Sequence, residues 1–290
     1  MTETVLGVLG GSGVYDIDGL ADARWVTVET PWGAPSDQFL EGSLDGQRIV
    51  FLPRHGRGHL ISPTGINARA NIDAMKRMGV TDLISVAAVG SFREDLSPGT
   101  FVICDQYVDR TNSRERSFFG EGCVAHVSLG HPACDRLADR VAEAGKDAEI
   151  AMVHGGTYLC IEGPQFSTLA ESNLYRSWGM DVIGMTAMPE VRLAREAEIC
   201  YLTVAMVTDY DCWHEDHGAV TVEQIVAVLH VNADNARKLV RALAPRVGGR
   251  DHPCDRGCDR SLDYALITQT DHRDPALLNK LDAVAGRVLG

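Results

Sequence analysis

The chain has 290 residues, 45% of them apolar and 23% charged, with a formal net charge of −13. That is long enough for one large α/β domain, and so acidic a chain excludes nucleic acid as a partner, whose phosphate backbone needs a basic surface. No apolar run reaches the roughly 18 residues of a membrane span, and no basic segment followed by a signal-peptide core opens the chain. A soluble, cytoplasmic protein without a membrane partner is therefore predicted. The eight cysteines are scattered, several within apolar runs, and read as reduced core thiols rather than a disulfide frame.

Val5 to Leu9 reads as a short buried strand ending in Gly10-Gly11-Ser12-Gly13, where glycine lets backbone amides approach an anion. With no Walker lysine and no complete GxGxxG spacing, the loop reads equally as a tight turn. Ile49 to Leu52 is a second strand, and Arg54-His55-Gly56-Arg57-Gly58-His59 follows it directly. Four potentially cationic groups beside a buried strand, in a chain this acidic, point to local anion binding rather than a solvated basic loop. Helical spacing of Ala68, Ile72, Met75 and Met78, then an apolar strand from Leu83 to Val89, gives β-α-β order.

Three further strands, Tyr158 to Ile161, Val182 to Met185 and Tyr201 to Val207, alternate with helices from about Leu169 to Trp178 and Pro189 to Ala197. Each ends in a polar cluster: Glu162-Gly-Pro-Gln-Phe166-Ser167, Met185-Thr186 and Asp209-Tyr-Asp211. Polar groups delivered at successive strand ends converge on one crevice. Glu162 with Phe166 suits a ring-plus-sugar ligand, although either also fits a turn or core position. The hydroxyls of Ser12 and Thr186 can donate to a phosphate or serve as caps. A carboxylate such as Asp209 can accept from an exocyclic amine and share a proton with the neighbouring ring nitrogen, which favours a 6-aminopurine; an N-cap role is the alternative.

Thr221 with Gln224 forms a capping box, and Val222, Ile225, Val226, Leu229, Ala233, Ala236, Val240 and Leu243 stripe one long amphipathic helix. Residues 248 to 261 read as a linker or exposed loop before a last helix from about Pro275 to Val288. His252, Cys254 and Cys258 lack a clear fourth ligand and read as a chance cluster in that loop, so no metal is expected. The organisation is a catalytic unit over 1–247 with a linker and helical extension over 248–290. The fold class is α/β, a single domain with a large mixed, twisted central β-sheet flanked by helices.

In order, VLGGSG, PRHGRGH, AAVGS, IEGPQFST, GMTAMPE and TDYDCW, between about Val5 and Pro245, resemble the purine nucleoside phosphorylase superfamily, trimeric branch, and within it the members that cleave S-methyl-5′-thioadenosine. The resemblance implies a homotrimer, phosphorolysis to adenine and 5-methylthioribose 1-phosphate, inorganic phosphate as co-substrate, and neither metal nor organic cofactor. It carries over Ser12, Arg54, His55, Ala88 and Thr186 as the phosphate site and Met185 as the ribose contact. Phe166, Ser167, Asp209 and Asp211 become the purine pocket, Asp209 and Asp211 being the catalytic carboxylates. Val222 and Ile225 fall at the methylthio pocket, which His126 reaches from a neighbouring subunit. Ala87 stands where many relatives have Thr or Ser, so a hydroxyl contact to phosphate is lost there. The rival readings are a phosphorylase acting on adenosine or 6-oxopurine (methylthio)nucleosides, a nucleoside hydrolase, and a non-catalytic purine-binding module.

Overall fold

A computed structural model describes residues 4–11, 13–14, 17–214, 222–248 and 254–289, the side chains of 222–227 excepted. Ser12, Thr221 and His252 lie outside the described residues, as do the side chains of Val222, Gln224, Ile225 and Val226. The strands are β1 Leu6–Gly10, β2 Ala21–Val26, β3 Phe39–Leu44, β4 Gln47–Pro53, β5 Asp82–Ser91, β6 Phe101–Cys104, β7 Gln106–Asp109, β8 Met152–His154, β9 Thr157–Cys160, β10 Val182–Gly184 and β11 Cys200–Asp209. The helices are α1 Ala68–Arg77, α2 Asp135–Asp147, α3 Leu169–Ser177, α4 Ala187–Glu196, α5 Val222–Val247, α6 Pro275–Lys280 and α7 Asp282–Leu289.

All the strands join one mixed sheet, as expected, with helices against it. Strand β5 is its hub, running parallel to β1 and β11 and antiparallel to β10 at its carboxyl end. Its side chains alternate between two apolar clusters: Leu83 and Val89 belong to one, Ile84 and Val86 to the other. Strand β11 does the same, with Tyr201, Ala205 and Val207 in the first and Leu202, Val204 and Met206 in the second. Both faces of the central strands are thus buried, which is why they read in sequence as continuous apolar runs.

Local signals account for the helix starts. Asn67 caps α1 by accepting from the Ala70 N–H, and Thr168 with Glu171 forms a full capping box on α3. Thr186 stands at the N-cap of α4, but Met188 is extended (φ −107°, ψ 133°), as a residue before proline prefers to be, so the continuous helix starts at Pro189 as expected.

Three features depart from expectation. Strands β2, β3, β6, β7 and β8 and helix α2 were not anticipated; β2 is largely exposed and shows no apolar alternation, whereas α2 does bury Leu137, Ala138, Val141 and Ala144 at helical spacing. The last helix is two, α6 and α7, parted at Leu281. The segment read as linker or exposed loop instead packs from Cys254 onward: Cys254, Cys258 and Leu262 are buried. The chance-cluster reading of that segment is corrected as well, because Cys254 and Cys258 meet Cys134 and Cys200 in the core.

Candidate active site

At the carboxyl ends of β5, β10 and β11 lies a cavity of about 390 Å³, within the usual range for small-molecule sites. Arg54, His55, Ala88 and Thr186 line it, and so do Met185, Phe166, Ser167, Asp209 and Asp211. His126 does not; its backbone N–H donates to the Ala265 carbonyl at 2.9 Å, on the strip that pairs Ala125 with Leu266.

Asp209 owes its position to a β-bulge. The β11–β5 register shifts between Val207 and Asp209, so that Asp209 faces Gly90, and such a bulge re-aims a side chain. Gly90 makes the approach possible, since a Cβ there would lie 3.0 Å from the Asp209 Oδ1. The carboxylate accepts from the Thr208 hydroxyl (2.7 Å) and the Asp211 N–H (2.8 Å). Burial nevertheless wins and raises its pKa above the usual carboxylate value. Asp211, at φ +52°, accepts from the Ser172 hydroxyl at 2.5 Å, and burial raises its pKa too. Asp209 therefore holds a proton more readily than a surface aspartate, although the Asp211 N–H that positions it works the other way. Phe166, 54% exposed, offers a ring face at the mouth.

At the other end, Arg54 is 1% exposed and committed to the fold. Its Nε donates to Glu190 (2.5 Å), its Nη2 to Ser85 (2.5 Å) and Glu190 (3.3 Å), and its Nη1 to the Val86 carbonyl (3.2 Å). Among the described residues only Nη1 keeps a hydrogen unspent, so the guanidinium is a charge fixed by the fold with one donor left over. Glu190 also accepts from Ser85 (2.8 Å) and Tyr201 (3.1 Å), a buried network that sequence reasoning missed. A glutamate inside the apolar run of α4 was the available signal, because a buried carboxylate demands partners.

His55 also differs from expectation. Its Nδ1–H donates to the Ile61 carbonyl at 2.8 Å and its ring stacks on His59 at 4.2 Å. Burial and the Arg54 charge press its pKa down to about 4. It is neutral at pH 7, with Nε2 an acceptor, and so is not a cation. Arg57 is turned to Asp37 (2.8 Å) and over the Trp25 ring (4.2 Å), outside the cavity. The Thr186 Oγ1 and the Ser167 Oγ are buried with no partner among the described residues, and both line the cavity. Buried hydroxyls are rarely left so.

Glu162 braces the fold instead of touching the cavity. It accepts from Thr64 (2.6 Å), the Asn112 N–H (2.6 Å) and Arg114 (3.0 Å); burial raises its pKa, but these bonds outweigh it and hold the carboxyl at about 2. Its pairing with Phe166 on a ligand is corrected accordingly. Arg114, also missed, donates to the Met185 (2.7 Å) and Met188 (2.6 Å) carbonyls and so pins the turn carrying Thr186. From α5, Leu229 and Ala233 give the cavity an apolar wall, on the stripe to which Val222 and Ile225 belong.

The family model of the phosphorylase superfamily matches residues 5–245. S-methyl-5′-thioadenosine phosphorylase of Cereibacter sphaeroides is 64% identical over 287 residues, covering 99% of each chain. Among solved structures, a methylthioadenosine phosphorylase from an Antarctic soil metagenomic library is 42% identical with a TM-score of 0.91, covering 98% of this chain and 99% of that one. The methylthioadenosine phosphorylase of Schistosoma mansoni, solved with adenine, is 35% identical with a TM-score of 0.81, covering 86% and 93%. With a cavity lined by a buried aspartate and by the Thr186 and Ser167 hydroxyls, and relatives matched over the full length, the chain belongs to the phosphorylase superfamily and, within it, to the S-methyl-5′-thioadenosine phosphorylases.

Proposed function

We propose that the chain cleaves S-methyl-5′-thioadenosine with inorganic phosphate, giving adenine and 5-methylthioribose 1-phosphate. The observation that carries this reading is a single cavity lined both by Asp209, whose pKa burial raises, and by the orphaned hydroxyl of Thr186 near the fixed charge of Arg54. A phosphate oxygen forms a bond to C1′ as the C1′–N9 bond breaks, and the purine takes the electron pair. Asp209 gives its proton to N7, which neutralises the leaving group. Thr186 and the Arg54 Nη1 hold the phosphate, largely a positioning contribution. Neutral His55 offers Nε2 as an acceptor to the hydroxyl of the monohydrogen form of phosphate; that proton leaves to solvent with the sugar phosphate, and Asp209 takes a proton back from solvent once products leave. Ser12 and the backbone at Ala88 complete the anion site in this reading, and no metal or organic cofactor takes part in the chemistry.

Met185 meets the ribose, Phe166 and Ser167 the base, and the apolar wall of Leu229 and Ala233, extended by Val222 and Ile225, suits a methylthio group better than an unpartnered hydroxyl. We place the enzyme in the cytoplasm as a homotrimer in which His126 reaches a neighbour's pocket. The exposed apolar side chains of Leu169, Leu174 and Trp178, on or next to α3, support such association; among the described residues no helix is long and apolar enough to cross a membrane. Residues 1–247 form the catalytic unit in this reading and 248–290 an extension, whose described part from Cys254 onward packs upon it. Fully 18O-labelled phosphate tests the reaction: the sugar phosphate is expected to retain all the label, including the bridging oxygen, whereas unlabelled free methylthioribose would mark a hydrolase.

A further inference from the structure

Away from the active-site cavity, Cys134, Cys200, Cys254 and Cys258 bring their sulfur atoms within 4.8 Å of one another. They come from three distant parts of the chain: the N-cap of α2, the first residue of β11, and the segment after α5. All are buried, Cys134 and Cys200 at 0% exposure, Cys258 at 1% and Cys254 at 6%. We propose that these cysteines form a closed tetrahedral site for one soft divalent cation, zinc, which clasps the C-terminal segment onto the phosphorylase core.

Geometry separates this from two alternatives. A tetrahedron with Zn–S bonds of about 2.3 Å has S···S edges of about 3.8 Å; the Cys134 and Cys254 sulfurs are 3.7 Å apart. A disulfide needs about 2.05 Å, and none joins these residues. Ordinary core packing explains a lone buried thiol, but not four converging on one point from separate segments. Four thiolates in a tetrahedral set, with no histidine or carboxylate among them, select zinc in its structural role, with no position left open for water.

The surroundings suit the net negative charge such a centre carries. Cys134 is the N-cap of α2 yet makes no side-chain cap bond, which leaves its sulfur free to ligate at the positive end of the helix dipole. Arg136, the second residue of that helix and paired with Asp82, lies close enough to Cys134 and Cys200 for electrostatic attraction. Its Nε is buried and has no hydrogen-bond partner among the described residues. Between Cys254 and Cys258 the chain makes a turn: the Gly257 N–H donates to the Cys254 carbonyl at 2.7 Å, and Gly257 is left-handed at φ +65°. Glycine suits that conformation, and the turn brings both sulfurs of the C-x3-C pair to the same side.

The clasp has a mechanical consequence. Downstream of it, the Leu262 N–H donates to Glu198 (3.0 Å), and the Ala265 and Ile267 backbones bond to His126 and Val124 at 2.9 Å. The metal therefore anchors the segment that backs the strip carrying His126. This is independent of the proposed reaction, because none of the four cysteines lines the active-site cavity.

The test uses the full chain, expressed with added zinc and without a metal-binding tag, then passed over EDTA and a sizing column. Elemental analysis is expected to find one equivalent of zinc per chain, released stoichiometrically as a mercurial titrates the thiols. Cobalt substitution of the wild type is expected to give the d–d bands of a tetrahedral thiolate centre, a readout that needs no mutant. Cys254→Ser with Cys258→Ser is expected to lose the zinc, while Cys212→Ser, altering a cysteine outside the cluster, keeps it. Metal-free protein after zinc supplementation, or mass spectrometry showing Cys134 and Cys200 in disulfides, would overturn the proposal.

Discussion

Replacing Asp209 by Asn leaves the pocket's shape almost unchanged and removes a transferable proton. The asparagine oxygen can take the Asp211 N–H bond (2.8 Å), and its amide can donate to Thr208, whose hydroxyl then points only to the Val89 carbonyl, 3.2 Å away. Folding should survive, because the uncharged amide keeps both hydrogen-bond partners of the carboxyl it replaces. Proton donation to the leaving purine is lost, although the amide still offers N7 a hydrogen bond. A positioned general acid is worth about 10²- to 10⁴-fold, or about 3–5 kcal/mol of barrier. The assay is adenine release under saturating phosphate: kcat is expected to fall by two to four orders of magnitude, with KM for the nucleoside changing little. Asparagine also accepts from a protonated ring nitrogen while donating to an oxygen, so relative turnover of methylthioinosine is expected to rise. A kcat within about tenfold of wild type, in a folded variant, would refute the role given to Asp209.

Thr186→Val removes a hydroxyl with no partner among the described residues; kcat/KM for phosphate is expected to fall about 10- to 100-fold, the worth of a hydrogen bond to a charged group, with Tm unchanged in thermal scans. Glu190→Gln leaves the buried Arg54 charge unpaired and should cost about 3–5 kcal/mol in denaturant titrations. Glu196 accepts from Ser117 and Phe118 at 2.7 Å, yet burial lifts its pKa to about 7 from 4.5. A raised folded-state pKa contributes stability that is present below about 4.5 and lost as pH rises through about 7, some 3 kcal/mol in all. Glu196→Gln should therefore raise Tm at pH 8 and not at pH 4.5, by calorimetry.

The strands that carry the site were legible because both their faces are buried, which leaves uninterrupted apolar runs in β1, β5 and β11. Their polar ends were legible too, and nine of the expected side chains converge on one cavity. Less visible was the division of labour among those groups. Nothing in PRHGRGH tells that Arg54 is held by Glu190 across 136 residues of chain, that Arg57 turns away, or that burial, with the Arg54 charge, makes His55 a neutral ring. Edge strand β2 escaped notice for a related reason, since an exposed strand has no apolar alternation to read. The cysteine cluster was hidden by sequence distance, for Cys134 and Cys200 lie far upstream of the C-x3-C pair that they meet.

The central claim is that one cavity joins a phosphate site to an aspartate suited to 6-aminopurines. Cleavage of methylthioadenosine, adenosine, methylthioinosine and inosine, compared by kcat/KM with and without phosphate, tests it most directly. The account predicts phosphate-dependent turnover with methylthioadenosine fastest and the 6-oxopurines slowest; equal rates without phosphate, or inosine cleaved as fast as methylthioadenosine, would contradict it.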